Sequence, residues 1–225
     1  MKLLAFDTSG EACSVALWCD GDVRQRLERV PRRHGELVLA MADGLLAEAG
    51  LRLAGLDALA FARGPGSFTG VRIATAVVQG AAFGADLPVV PVSTLAATAH
   101  GAFRQQGVRR CLVAIDARMD QVYWGAYRLA ADGAPELVGD EAVLAPEAVP
   151  VPADADWYGV GSGWQAHRAA LHARLAGRLT GELAEVFCEA QDVAHLAADL
   201  FAREGGVAAE AALPVYLRDR VTFSR

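Results

Sequence analysis

Lysine is almost missing from this sequence. Lys2 is the only one, and every other cation is an arginine. A positive excess is missing too: the 225 residues carry 21 Lys+Arg against 27 Asp+Glu, a formal net charge of −6. A free-standing nucleic-acid binder normally shows a basic face that displaces counterions from phosphates. That class is disfavoured, while work on RNA through a partner stays open. Long apolar runs are also absent. The longest charge-free apolar stretch, Ile73 to Ala85, contains Gly80 and Gly84 and is shorter than the ~20 residues that span a bilayer. The next, from Leu87, is broken by Pro88 and Pro91. No membrane segment is expected. The opening Met1 to Gly10 has too short an apolar core before Asp7 for a signal peptide. The cysteines Cys13, Cys19, Cys111 and Cys188 include no Cys-x-x-Cys pair. They read as free thiols in a reducing compartment, so the expected location is the cytoplasm.

What is present is a globular composition. Hydrophobic residues make up 53% of the chain, too many for a disordered protein at this modest net charge. Leu3 to Asp7 reads as a buried strand. Ala12 to Cys19 and Val23 to Val30 flank Asp20-Gly21, a hairpin turn signal. A helix is predicted over 34–49, with Leu37, Val38, Met41, Leu45 and Leu46 on one stripe and Gly50 as its stop. Leu56 to Ala62 is a strand that feeds the glycine-rich run Arg63-Gly-Pro-Gly-Ser-Phe-Thr-Gly70. A helix follows from Thr69 to Phe83, a strand from Leu87 to Val92, and a third helix capped by Ser93. The second half opens alike. Arg110 to Asp116 is a strand ending in Asp, and Val122 to Leu129 with Leu137 to Leu144 form a hairpin about Asp132-Gly133. Residues 145–156 read as a loop and Trp157 to Val160 as a short strand. Helices are predicted at Gln165 to Leu175 and Asp192 to Arg203. Two related α/β lobes, 1–106 and 107–225, explain this symmetry better than one doubly wound sheet. The last helix is free to return to the first lobe.

Several residues are candidates for chemistry, and each has a plainer explanation. Glycine-rich backbone entering a helix N-terminus suits an anion. Yet Arg63 to Gly70 lacks the Lys-Ser/Thr of a P-loop, and a tight turn serving close packing explains it equally. The strand-end aspartates, Asp7 with Thr8 and Ser9 and Asp116 with Arg118, could hold hydrated Mg²⁺ beside phosphates. They could also satisfy backbone N–H groups. The five histidines show no metal-binding spacing, and Gly161-Ser162-Gly163 is an incomplete nucleophile elbow. The helix from Thr69 carries a small apolar stripe, Gly70, Ala74, Val77, Val78 and Ala81, that fits either the chain's own core or a partner.

A more specific signal lies in several segments taken together. They are Asp7-Thr8 with Glu11-Ala-Cys-Ser-Val-Ala-Leu-Trp18, Arg63-Gly-Pro-Gly-Ser-Phe-Thr-Gly-Val-Arg-Ile73, Ser93-Thr-Leu95, Ile115-Asp-Ala-Arg-Met119 with Val122-Tyr-Trp124, Gly161-Ser-Gly-Trp-Gln165, and Pro214-Val-Tyr-Leu-Arg218. In this order they resemble the bacterial TsaB family, also called YeaZ. The resemblance implies an actin/Hsp70/sugar-kinase (ASKHA) fold with two ribonuclease-H-like lobes. It implies a part in making threonylcarbamoyladenosine in tRNA, beside the anticodon. The expected partners are a TsaD homologue, the catalytic paralogue, and a TsaE homologue, with a homodimer in isolation and tRNA reached only through the complex.

The resemblance also bears on catalysis. The catalytic paralogue carries a metal-binding His-x-x-x-His after the strand that ends the first lobe. Here that register holds Thr94 and Thr98, and neutral hydroxyls are poor ligands for a catalytic transition metal. A non-catalytic subunit is therefore expected. Asp7, Thr8, Ser9, Asp116 and Arg118 would be a nucleotide-cleft remnant. The isolated chain would need no cofactor, with ATP or ADP at the complex interface the one nucleotide site left open. The partner or dimer interface is expected on Leu37, Val38, Met41, Leu45, Gly70, Ile73, Ala74, Val77 and Ala81. The competing classes are an active small-molecule kinase of the same fold, a metallopeptidase, and a plain structural dimer.

Overall fold

A computed structural model describes residues 1–29 and 33–218. Val30, expected at the end of the first hairpin, lies outside these residues. So does the tail from 219 onward.

The first sheet contains β1 (Lys2–Asp7), β2 (Ala12–Cys19), β3 (Asp22–Arg29), β4 (Ala58–Ala62) and β5 (Val89–Val92), in the order β3-β2-β1-β4-β5. β1, β2 and β3 are antiparallel neighbours, and β4 and β5 run parallel to β1. The turn between β2 and β3 uses Asp20 at φ 50° and Gly21 at φ 104°. This pair of left-handed residues matches the twist of a two-residue hairpin. The second sheet contains β6 (Arg110–Arg118), β7 (Gln121–Leu129), β8 (Pro135–Leu144), β9 (Trp157–Val160) and β10 (Leu179–Leu183), in the order β10-β9-β6-β7-β8. Its pairings repeat those of the first: β6, β7 and β8 are antiparallel, and β9 and β10 are parallel to β6. One strand pattern occurring twice gives the two ribonuclease-H-like lobes of an ASKHA fold.

The helices are α1 (His34–Glu48), α2 (Phe68–Ala85), α3 (Thr94–Gln106), α4 (Ser162–Ala166), α5 (Arg168–Arg174) and α6 (Ala190–Glu204). α1 and α2 pack on one face of the first sheet through Val38, Met41, Leu45, Ala74 and Val78. α6 covers the opposite face through Val193, Ala194 and Ala197. α3 does the reverse. It follows the first sheet in the chain yet packs Leu95, Ala99 and Phe103 on Cys111, Val113 and Tyr127 of the second. Each lobe thus lends a helix to the layer between the sheets. Burial of this apolar surface is the main source of stability.

Two sequence expectations are adjusted. The helix foreseen over 165–175 is broken at His167, whose φ of −126° ends α4 and starts α5. The break lets Trp164 turn under the sheet and donate its indole N–H to the Leu112 carbonyl at 2.9 Å. Gly159 provides the room: a Cβ there would lie 2.4 Å from the Trp164 ring. β10 was not foreseen, because Leu179-Thr-Gly-Glu-Leu183 lacks a run of apolar or β-branched residues.

Candidate functional site

Asp7, Thr8 and Ser9 follow one another where β1 ends, and all three are buried. The glycine-rich run lies directly on them. Ser67 N–H donates to the Ser9 carbonyl at 2.8 Å. The Thr8 hydroxyl donates to the Gly70 carbonyl at 2.6 Å. A Cβ on Gly66 would sit 2.6 Å from the Ser9 carbonyl oxygen, and one on Gly70 only 1.9 Å from that of Thr8. Both glycines are therefore needed for close approach of backbone to backbone. Asp7 accepts the Ser9 N–H at 2.9 Å. Burial raises its pKa to about 6, against the opposing hydrogen bonds from Ser9 and Cys188. This corner of the cleft is thus filled by the chain itself, and the Thr8 hydroxyl is already engaged.

The second-lobe pair is arranged differently. Asp116 accepts the Arg118 backbone N–H at 2.9 Å and its guanidinium at 2.8 Å. Its own N–H donates to the Ser162 hydroxyl at 3.2 Å, and His167 Nε2 lies 3.6 Å from its carboxylate. The Arg118 side chain is 84% exposed. Among the described residues no hydrogen bond or ion pair joins Asp116 or Arg118 to Asp7, Thr8 or Ser9. The predicted cleft residues fall into two groups, one covered and one open.

Thr94 and Thr98 are buried on α3. The Thr98 hydroxyl donates back to the Thr94 carbonyl at 2.8 Å, a local helix bond that uses its donor. His100 turns to α6, its Nδ1 2.7 Å from Asp192. Asp192 is fully buried and also accepts Arg104 Nε at 2.9 Å and Nη2 at 3.0 Å. This α3–α6 network went unnoticed in the sequence. The only hint was an acid and a base within helices 92 positions apart. His195 stacks near His100, 5.2 Å between ring centres, and its pKa is lowered by burial and by that neighbour. The thiols of Cys13, Cys111 and Cys188 are buried. Burial pushes Cys13 up to about 11 and the other two upward as well, which disfavours a thiolate nucleophile.

The expected interface set divides in two. Val38, Met41, Leu45, Gly70 and Ala74 are buried in the first lobe's own core. They have no surface to offer a partner, because the helical period that aligned them is the one that turns them toward the sheet. Leu37, Ile73, Val77 and Ala81 are half-buried along the border of that core. Beyond them Leu39 is 54% and Phe83 is 83% exposed.

Comparison with known proteins agrees with this architecture. The family model described as "TsaD: tRNA N6-adenosine threonylcarbamoyltransferase" matches residues 28–222. The "tRNA threonylcarbamoyladenosine biosynthesis protein TsaB" of Escherichia coli (strain K12) is 43% identical, covering 100% of this chain and 98% of the relative. Its namesake in Haemophilus influenzae is 37% identical, covering 100% and 97%. The solved structure "YeaZ from Pseudomonas aeruginosa" superposes with a TM-score of 0.89 at 51% identity, covering 96% of this chain and 99% of that one. Full-length identity at this level, on two lobes of this strand order, makes the chain a member of the TsaB (YeaZ) family.

Proposed function

We propose that this chain is a non-catalytic subunit, required with a TsaD homologue and a TsaE homologue for threonylcarbamoyl transfer to tRNA. The acceptor is the adenosine beside the anticodon of tRNAs reading codons that begin with adenine. The chain scaffolds and activates the TsaD subunit. The observation that carries this reading is the filled first-lobe corner. Gly66 and Gly70 press against Ser9 and Thr8, and Asp7 is buried beneath them. A site that must admit a phosphate and a hydrated cation needs that space. Thr94 and Thr98 support the same reading, since they stand where the resemblance puts the paralogue's metal ligands and offer only hydroxyls.

The docking surface is the outer border of α1 and α2. Leu37, Ile73, Val77 and Ala81 line it, with Leu39 and Phe83 projecting beyond. Exposed apolar side chains such as Leu39 and Phe83 are the kind a protein contact covers. The same surface serves a homodimer in isolation, so homodimer and heterodimer compete. Partner binding activates only through contacts that differ between the partner's states. ATP or ADP, where it takes part, sits at the complex interface, and tRNA is reached through the complex in the cytoplasm. Among the described residues no helix is long and apolar enough to cross a membrane.

The test is reconstitution from tRNA, threonine, bicarbonate, ATP and the other factors, with this subunit omitted. Modification should collapse. Undiminished modification without the chain refutes the proposal. Stoichiometric zinc or iron in chelator-free protein would favour a metallopeptidase instead. Tight Mg-ATP binding with substrate turnover by the isolated chain would favour a kinase.

A further inference from the structure

After α6 the chain runs back across both lobes. The Ala212 carbonyl accepts Gln79 Nε2 of α2 at 3.1 Å. Val215 N–H donates to the Arg63 carbonyl at 2.8 Å. Gly64 makes that approach possible, since a Cβ there would lie 2.9 Å from the Val215 carbonyl oxygen. Arg72 donates Nε to the Tyr216 hydroxyl at 2.9 Å, while its guanidinium lies 3.5 Å from the Phe68 ring centre. Two residues later Arg218 reaches the second lobe. Its Nη2 donates to the Ala117 carbonyl at 3.1 Å and to Gln121 Oε1 at 2.7 Å, and Nη1 lies 3.4 Å from Met119 Sδ.

The segment that Arg218 grips is strained. Arg118, Met119 and Asp120 follow one another at φ 59°, 55° and 54°. Three consecutive non-glycine residues in the left-handed region are each unfavourable, and they persist only where surrounding contacts determine them. None of the three is a glycine, and only Asp120 is of a type that enters this region readily. Asp116 holds the near side through the Arg118 N–H. Arg218 holds both flanks, at Ala117 on the near side and at Gln121 on the far side.

We propose that residues 212–218 form a latch between the lobes. It is anchored on the glycine-rich run and α2 of the first lobe, and Arg218 holds the strained Arg118–Asp120 turn of the second. Arg218 is a positioning residue. Because Arg118 lies on the turn, the latch sets where that exposed guanidinium stands beside Asp116. Anything that lifts the strap from the first lobe loosens the turn, although among the described residues no hydrogen bond or ion pair joins the turn to the first-lobe anchors. The inference stands apart from the proposed role in tRNA modification.

Amide hydrogen exchange on the full chain tests it, with two variants at opposite ends of the latch. Arg218→Ala removes the second-lobe grip, and Tyr216→Ala weakens the first-lobe anchor. Both should raise exchange in residues 117–122 by a factor of about ten or more, the signature of local opening. Amides of β1 and β2 should keep wild-type protection, which shows that the fold is intact. The decisive readout is transmission across the lobes. If Tyr216→Ala changes exchange only in the strap and first lobe, or Arg218→Ala leaves residues 117–122 unchanged, there is no latch.

Discussion

Replacing Gly70 by alanine should destabilise the protein, although alanine is the better helix former. Gly70 belongs to the first turn of α2, and propensity alone would credit alanine with up to ~1 kcal/mol. The surroundings reverse the sign. The new Cβ would lie 1.9 Å from the Thr8 carbonyl oxygen and 3.0 Å from its carbon. Backbone cannot rotate away as a flexible side chain would, so β1 and α2 must separate by more than an ångström. That separation breaks the 2.6 Å bond from the Thr8 hydroxyl to the Gly70 carbonyl, a loss of ~1 kcal/mol. Overpacking of a tight contact adds ~1–3 kcal/mol. Set against the helix gain, the net loss is ~1–3 kcal/mol. In a chain of this size that lowers Tm by roughly 2–12 °C. Gly80→Ala on the same helix is the matched control. Gly80 is exposed, with nothing within 4 Å of the added Cβ, so the variant should gain up to ~1 kcal/mol. Urea unfolding followed by circular dichroism compares the midpoints at constant m. A Gly70→Ala midpoint equal to wild type, or a Gly80→Ala loss as large as that of Gly70→Ala, would refute the close-contact reasoning.

Asp7→Asn should stabilise the protein more at pH 8 than at pH 4. Asp7 is raised from 3.8 to about 6 on folding, so the folded state holds its proton more tightly. Stability is therefore lost as pH rises from ~4 to ~6, by ~3 kcal/mol in all, and asparagine avoids that loss. An equal change in urea midpoint at both pH values would refute it. Asp192→Asn should cost ~1–3 kcal/mol, since it removes the carboxylate that His100 and Arg104 share while Glu189 still faces Arg104 at 3.6 Å. A wild-type midpoint would show that the α3–α6 network carries no load. Phe83→Glu should keep the wild-type unfolding midpoint yet abolish copurification with a TsaD homologue, because Phe83 is 83% exposed. Met41→Glu should fail to fold, since Met41 is only 5% exposed in the first-lobe core; persistent copurification of folded Phe83→Glu would remove α2 from the docking surface.

The reading of local chemistry held because local chemistry decides it. Asp20-Gly21 makes its hairpin through positive φ at both residues, and Ser93 caps α3 by accepting the Ala96 N–H. The doubled lobe was legible for a related reason, since a strand ending in Asp and followed by a hairpin occurs in each half. Contacts between distant segments left no such mark. Asp192 is ordinary in sequence, a first-turn acid of a helix, and becomes special only when α6 meets α3. Gly70 looked like part of a small-residue stripe for a partner, but its neighbour is Thr8 of the same chain. Periodicity carries a systematic bias here. The face of a helix that repeats apolar residues most regularly is the one its own sheet covers, so Val38, Met41, Leu45 and Ala74 were chosen for the property that hides them. A docking surface has to be sought among apolar residues that break the stripe. Leu39 and Phe83 do so: each lies off the buried face, and burial within the chain gives neither a reason to be apolar.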